Sequence, residues 1–251
     1  MDYISPSTHP ASPSLAQVPL TIESGRYCEP AGATACAVFA PMHYEPGYAY
    51  PLVVWLHGPG AGERQLLRVM PLVSMRNYVA VAPRGTWHDA EDACGYDWRQ
   101  TERHIALAEH RVFDAIDTAR AKYHVHSGRV FLAGFDSGGT MALRVALAHP
   151  SRLAGVASLG GPLPTGGTPL GNFAEVRRLP VLLAASNQSP TFHPELVGDN
   201  ERLLHTAGVP IAVRRYSCGQ ELSPQMLADV DRWIIEQITN PRPDRARHDA
   251  D

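Results

Sequence analysis

RVFLAGFDSGGTMALRVALAHP, residues 129–150, is the stretch that decides the fold. Its apolar opening has the length and composition of a buried strand and stops at Gly134. The chain then turns within Gly134-Phe135-Asp136-Ser137-Gly138-Gly139 and continues in a helical pattern to Ala148, just before Pro150. A strand, a glycine-flanked turn and a helix in this order form the context of a nucleophile elbow. There a central residue is held in a strained turn, and the flanking glycines let the neighbouring backbone approach closely. A G-x-x-x-G outside such a context would carry little information.

The same alternation extends in both directions. Apolar runs predict strands at Val18–Glu23, Thr34–Ala40, Leu52–His57, Tyr78–Ala82, Arg129–Gly134, Ala154–Leu159, Pro180–Ala185 and Pro210–Tyr216. Several are unbroken Val/Leu/Ala runs, as in parallel strands covered on both faces. Helical patterns fall at Glu63–Met75, Glu102–Tyr123, Ser137–Ala148, Glu195–Thr206 and Gln225–Thr239. In the second, Ile105, Val112, Phe113, Ile116 and Ala119 share one stripe, the spacing of a helix laid on a sheet. Pro150 and Gly208 stand where helices should stop. Strand alternating with helix predicts an α/β fold, a mostly parallel central sheet with right-handed crossovers and helices on both faces. Ligand sites in such sheets lie outside the carboxyl ends of the strands.

Composition narrows the function classes. The 251 residues are 44% hydrophobic and 19% charged, as expected of a globular chain long enough for one large domain. A net charge of −3 gives a nucleic acid nothing to grip, and no apolar run reaches the roughly 18–20 residues of a membrane span. Residues 1–16 are expected to be disordered, 17–240 to form a single domain, and 241–251 to be a flexible charged tail. No secretory signal is visible and Cys28, Cys36, Cys94 and Cys218 form no C-x-x-C pair, so a reducing, cytoplasmic location is expected. Of 22 basic residues only Lys122 is a lysine, so any lysine-based mechanism would rest on that residue.

A second segment agrees with the elbow. PLVVWLHGPGAGE, residues 51–63, is a strand running into His57-Gly58-Pro59-Gly60, and VAVAPRG, residues 79–85, follows the next strand. With RRYSCGQELSPQMLADVDRWI, residues 214–234, these segments resemble the α/β-hydrolase fold, in particular its phospholipase/carboxylesterase group, from about Pro51 to Ile238. The resemblance implies a catalytic serine at the elbow, an acid after a later strand, a histidine just before the last helix, and an oxyanion hole. The hole would be built from the loop at His57, Gly58, Pro59 and Gly60 together with the backbone of Ser137.

This chain departs from that pattern at each catalytic position. Asp136 stands at the nucleophile position, Ser189 where the acid belongs, and Gln220 in place of the histidine. Pro59, at the position of one oxyanion donor, has no backbone N–H. Serine-ester hydrolysis needs a hydroxyl, a base, a group to orient the base and oxyanion donors. An amide cannot accept and return a proton, and a carboxylate beside the hole would repel the oxyanion. The expected function is therefore a hydrolase homologue without serine-esterase activity, holding a small polar or cationic ligand in the residual cleft. A second reading makes Asp136 the nucleophile toward an ester or alkyl substrate, as in the aspartate-using hydrolases, with His193 or a bound water replacing the missing base. A third makes the fold an oligomeric interaction scaffold, for instance a homodimer.

Bland readings compete with each of these. Asp136 immediately precedes a helix and would serve as an N-cap there, worth on the order of 1 kcal/mol. His193, in a loop, reads first as a solvated residue. Trp87, His88, Tyr96 and Trp98, in the Gly85–Gln100 connection, either line a cleft or anchor the loop. His124-Val-His126 is expected to form a polar turn, and with no third ligand at a useful spacing no metal site is expected. No cofactor is implied. The partners expected are a small-molecule ligand or substrate, without nucleic acid or membrane span.

Overall fold

The structure, a computed structural model, describes residues 35–88, 95–166 and 173–240. The expected strand at Val18–Glu23, the N-terminal segment 1–16 and the tail 241–251 lie outside the described residues. In chain order the elements are β1 (Cys36–Phe39), β2 (Tyr50–Leu56), α1 (Leu66–Val73), β3 (Val79–Pro83), β4 (Trp87–His88), β5 (Tyr96–Asp97), α2 (Glu102–Lys122), β6 (Val125–Phe135), α3 (Ser137–Ala148), β7 (Gly155–Leu159), α4 (Phe173–Val176), β8 (Val181–Ser186), α5 (Pro194–Thr206), β9 (Ile211–Tyr216) and α6 (Pro224–Thr239).

Among the described residues seven strands form the central sheet, in the order β1-β3-β2-β6-β7-β8-β9. Only β1 runs antiparallel, against β3, and the other six are parallel to one another. The period-2 geometry of a strand explains how one sequence serves both faces. In β2, Leu52, Val54 and Leu56 pack with α2, α3 and α5, whereas Val53 and Trp55 face α1 and α6. All seven residues of β2 are buried, which is why its sequence is a continuous apolar run and not an alternating one.

The expected α/β architecture with helices on both faces is therefore present. The predicted helix at Glu63–Met75 is divided into a 3-10 turn over Glu63–Gln65 and α1, which ends when Ser74 goes extended. β6 begins at Val125, earlier than the apolar run suggested, so Val125 and His126 are strand residues and not a polar turn. The β4–β5 ribbon pairs Trp87 with Asp97 and His88 with Tyr96. At two residues per strand it is too short to leave a periodicity in the sequence.

Two buried tyrosines fix α6, and with it the loop that precedes it. Tyr78 Oη donates to Asp231 Oδ1 at 2.7 Å and Tyr216 Oη to Asp229 Oδ2 at 2.7 Å. Burial and the adjacent carboxylates push both phenols well above their ordinary pKa, so each remains a donor. No helix among the described residues is long and apolar enough to cross a membrane.

Candidate functional site

β6 ends at Phe135, Asp136 takes φ 52° and ψ −119°, and α3 starts at once with Ser137. The turn is tight because its glycines are sterically required. A Cβ on Gly134 would stand 2.5 Å from the Gly138 carbonyl oxygen, and one on Gly138 would stand 2.3 Å from that of His57. Asp136 is thereby held at a backbone conformation that costs a non-glycine residue about 1–3 kcal/mol. Its own backbone is fully used, with N–H on the Leu159 carbonyl at 2.8 Å and its carbonyl accepting from Thr140 N–H at 3.0 Å.

An ordinary N-cap has extended backbone and a side chain turned onto the free N–H groups of the second or third helical residue. Asp136 has neither, since its φ is positive and no side-chain cap bond forms. Its carboxylate points to Gln220 instead, whose Nε2 donates to Asp136 Oδ2 at 2.5 Å. Ser189 Oγ in turn donates to Gln220 Oε1. The direction of this line is fixed from the Asp136 end. An ionised carboxylate only accepts, so the amide presents its NH₂ to Asp136 and leaves Oε1 to accept the Ser189 proton, while Ser189 Oγ also accepts the Phe192 N–H at 2.9 Å.

The structure thus brings Asp136, Gln220 and Ser189 into one hydrogen-bonded line, carried by the ends of β6, β8 and β9. The Gln220 loop is tied to β8 by Ser186 Oγ, which donates to the Cys218 carbonyl.

Asp136 is half-buried, and loss of solvent raises its pKa above the ordinary carboxylate value. The charge of Asp97 acts in the same direction, while the Gln220 amide and the Ser137 backbone N–H, both facing the carboxylate, act against it. The Ser137 N–H, which the resemblance assigned to the oxyanion hole, is thus turned toward a carboxylate. The Ser137 hydroxyl donates to Asp97 Oδ1. Asp97 was missed in the sequence, although it lies between Tyr96 and Trp98, which were both singled out. A carboxylate flanked by two aromatic residues in a connecting loop was the available signal.

The loop after β2 is held from beneath. His57 is completely buried, and its Nε2 accepts the Gly85 N–H at 2.8 Å. The ring proton therefore sits on Nδ1 and goes to the Gly58 carbonyl at 2.8 Å. Burial pushes its pKa down, which keeps the ring neutral. Trp98, 2% exposed, donates its indole N–H to the His57 carbonyl at 3.0 Å. Between the two readings of Trp98, the geometry is that of an anchor.

Gly58 is buried under Phe135, while Pro59 and Gly60 are exposed, Gly60 at φ 70°. Below them Arg84 grips Glu63 through Nε–Oε2 at 2.9 Å and Nη2–Oε1 at 2.7 Å. Burial opposes the Glu63 carboxylate, but the hydrogen bonds and charge of Arg84 outweigh it and hold the pKa low.

The other candidates are spent locally. His193 is exposed and caps α5, its Nδ1 accepting the Leu196 N–H at 3.4 Å. His124 Nδ1 lies 3.0 Å from the Pro46 carbonyl, and His126 Nδ1 accepts the Gly128 N–H. Among the described residues no histidine pairs with Asp136, and no group of three His, Cys, Asp or Glu is placed to hold a metal. Chemically the site offers an ionisable carboxylate with fixed donors and a second carboxylate nearby, and among the described residues its side-chain hydrogen-bond partner is an amide and not an imidazole.

A family model described as phospholipase/carboxylesterase matches residues 47–238. Among solved structures, the chain is similar to a carboxylesterase from Bacillus cereus, with 17% identity and a TM-score of 0.65, over 81% of this chain and 94% of that one. It is also similar to SOBER1 from Arabidopsis thaliana, with 22% identity and a TM-score of 0.62, over 76% and 100% of the two chains. Acyl-protein thioesterase 2 from Zea mays shares 16% identity with a TM-score of 0.59, over 82% and 100%. At such identities the likeness is one of fold.

Proposed function

The chain belongs to the phospholipase/carboxylesterase family of α/β-hydrolases, and from that membership we propose that it is a member without serine-ester hydrolysis, keeping its cleft for a small polar or cationic ligand at Asp136. The observation that carries this reading is the hydrogen bond from Gln220 Nε2 to Asp136 Oδ2. At the point where a serine mechanism needs a base to withdraw a proton, an amide instead donates a hydrogen bond to a carboxylate. The Ser137 N–H faces that same carboxylate and Pro59 has none to offer, so a tetrahedral oxyanion would meet negative charge in place of donors. A carboxylate with its orientation fixed by two donors, and Asp97 close by, suits an ammonium or a neutral hydrogen-bond donor better than an ester carbonyl.

One observation favours the alternative in which Asp136 is itself a nucleophile. It occupies the positive-φ elbow, the strained position from which a side chain reaches an incoming substrate. Attack by Asp136 on an alkyl carbon would form an ester to the protein and expel the leaving group with its electron pair. Water would then have to be activated to cleave that ester, and His193, exposed and capping α5, supplies no base at the site. Mass spectrometry after incubation with short alkyl halides and p-nitrophenyl esters distinguishes the two. An adduct on the peptide containing Asp136 would replace the binding reading, whereas an unmodified protein whose melting temperature rises saturably with small amines supports it.

A further inference from the structure

At the opposite end of the sheet from Asp136, a cavity of about 320 Å³ opens where β2 and β3 begin and α6 ends. That volume lies near the lower limit of small-ligand sites, roughly 300–1,000 Å³. Tyr50, Pro51, Ile235 and Ile238 supply its apolar surface. Tyr48 stands against Tyr50 edge-on, with ring centroids 4.7 Å apart. Tyr48 and Ile235 are 50% and 36% exposed, so apolar surface remains uncovered at the mouth.

Two opposite charges face the same space. Glu45 and Arg76 both line the cavity, and neither side chain has a hydrogen-bond or ion-pair partner among the described residues, including each other. Both project from turns that are already fixed. The Tyr48 N–H is on the Glu45 carbonyl at 3.1 Å and the Glu45 N–H on Tyr50 Oη at 3.2 Å. Ser74 Oγ accepts the N–H groups of Arg76 and Asn77 at 3.2 and 3.1 Å, and the Asn77 amide holds Asp231 of α6. The two do not pair with each other, and both border the apolar surface of the cavity.

We propose that this cavity is a second ligand site, separate from the Asp136 cleft, for a zwitterion with an apolar body, that is, an α-amino acid with an aromatic or branched aliphatic side chain. Arg76 takes the carboxylate, Glu45 the ammonium, and Tyr48, Tyr50 and the two isoleucines the side chain. Each charge of the ligand is then needed.

Isothermal titration of the full chain with L-phenylalanine, L-tyrosine and L-leucine tests this. Saturable binding is expected for at least one of them. That binding should weaken about tenfold or more for 3-phenylpropionate or 2-phenylethylamine, each lacking one charge, and likewise in Arg76→Ala and in Glu45→Gln. Both substitutions are on exposed side chains and should leave the fold intact, which circular dichroism checks. The same series repeated in Asp136→Ala, which removes the carboxylate proposed to take an amine in the cleft, should keep the dependence on both ligand charges and on Arg76 and Glu45. No saturable binding up to about 10 mM, or binding that survives both surface substitutions, would overturn the proposal. So would binding lost only in Asp136→Ala, because it would place the amino acid in the cleft.

Discussion

The two ends of the central sheet handle polar groups in opposite ways. At the carboxyl end, Ser189, Gln220, Asp136 and Ser137 hydrogen-bond one another or their immediate surroundings. At the amino end, Glu45 and Arg76 face a shared cavity without a partner among the described residues. A polar group paired within the protein contributes to stability and specifies a geometry. A group left unpaired beside apolar surface contributes little to the fold and is free for a ligand. The carboxyl end keeps the frame of a hydrolase with its polar side chains bonded to one another, and the amino end has two exposed charges on hydrogen-bonded turns.

The largest effect expected is a gain. Asp136→Ser, Gln220→His and Ser189→Asp together supply a hydroxyl, a base and an orienting acid on the hydrogen-bonded line already present. Hydrolysis of p-nitrophenyl acetate should rise at least about a hundredfold over the wild type, while Asp136→Ser alone stays at background because Gln220 takes no proton. If the single variant matched the triple one, the contrast drawn at Gln220 would fail.

Next is the frame itself. Gly138→Ala places a Cβ 2.3 Å from the His57 carbonyl oxygen, a clash with backbone that cannot be relieved by turning a side chain. It should destabilise the protein by about 3 kcal/mol or abolish folding, as measured by urea unfolding. Ser189→Ala removes the donor to Gln220 and the acceptor for Phe192 N–H in one step, for an expected loss of about 1–3 kcal/mol by the same measurement. Arg76→Ala should change stability by less than about 0.5 kcal/mol, the value for an exposed side chain away from such networks. Equal costs for Ser189→Ala and Arg76→Ala would erase the difference between the two ends.

The smallest effect is a pH dependence. Burial raises the pKa of Asp136 in the folded protein above the unfolded value, so the folded state binds the proton more readily. The ionised carboxylate then lowers stability as pH rises from the ordinary carboxylate range through the folded pKa, and the cost is complete above it. Asp136→Asn should therefore melt higher than the wild type at neutral pH, with the difference shrinking as the pH falls toward about 4. A gap that widened on acidification would mean a folded pKa below the ordinary value.

Much of the carboxyl end was legible in the sequence. The apolar run and the glycines of residues 129–150 locate the elbow because a Cβ at Gly134 or Gly138 has nowhere to go. Gln220 and Ser189 follow from counting along segments whose strands were already placed.

What the sequence left open depended on side-chain direction. Asp136 as an N-cap and Asp136 as a partner of Gln220 are the same letter, and only the φ of 52° and the hydrogen bond tell them apart. Asp97 joins the site through a two-residue strand too short to show a period. Trp98 could not be assigned to cleft or anchor until its indole was seen on the His57 carbonyl. The amino-end cavity was invisible because Glu45, Arg76 and Ile235 are ordinary surface residues until the fold brings β2, β3 and α6 together.

The most direct measurement is hydrolysis of short p-nitrophenyl esters by the wild type and by Asp136→Ala, purified in parallel. Equal rates at the level of the buffer blank are expected. A wild-type rate well above the blank that disappears in Asp136→Ala would contradict the reading of a silent site and make Asp136 the group that does the chemistry.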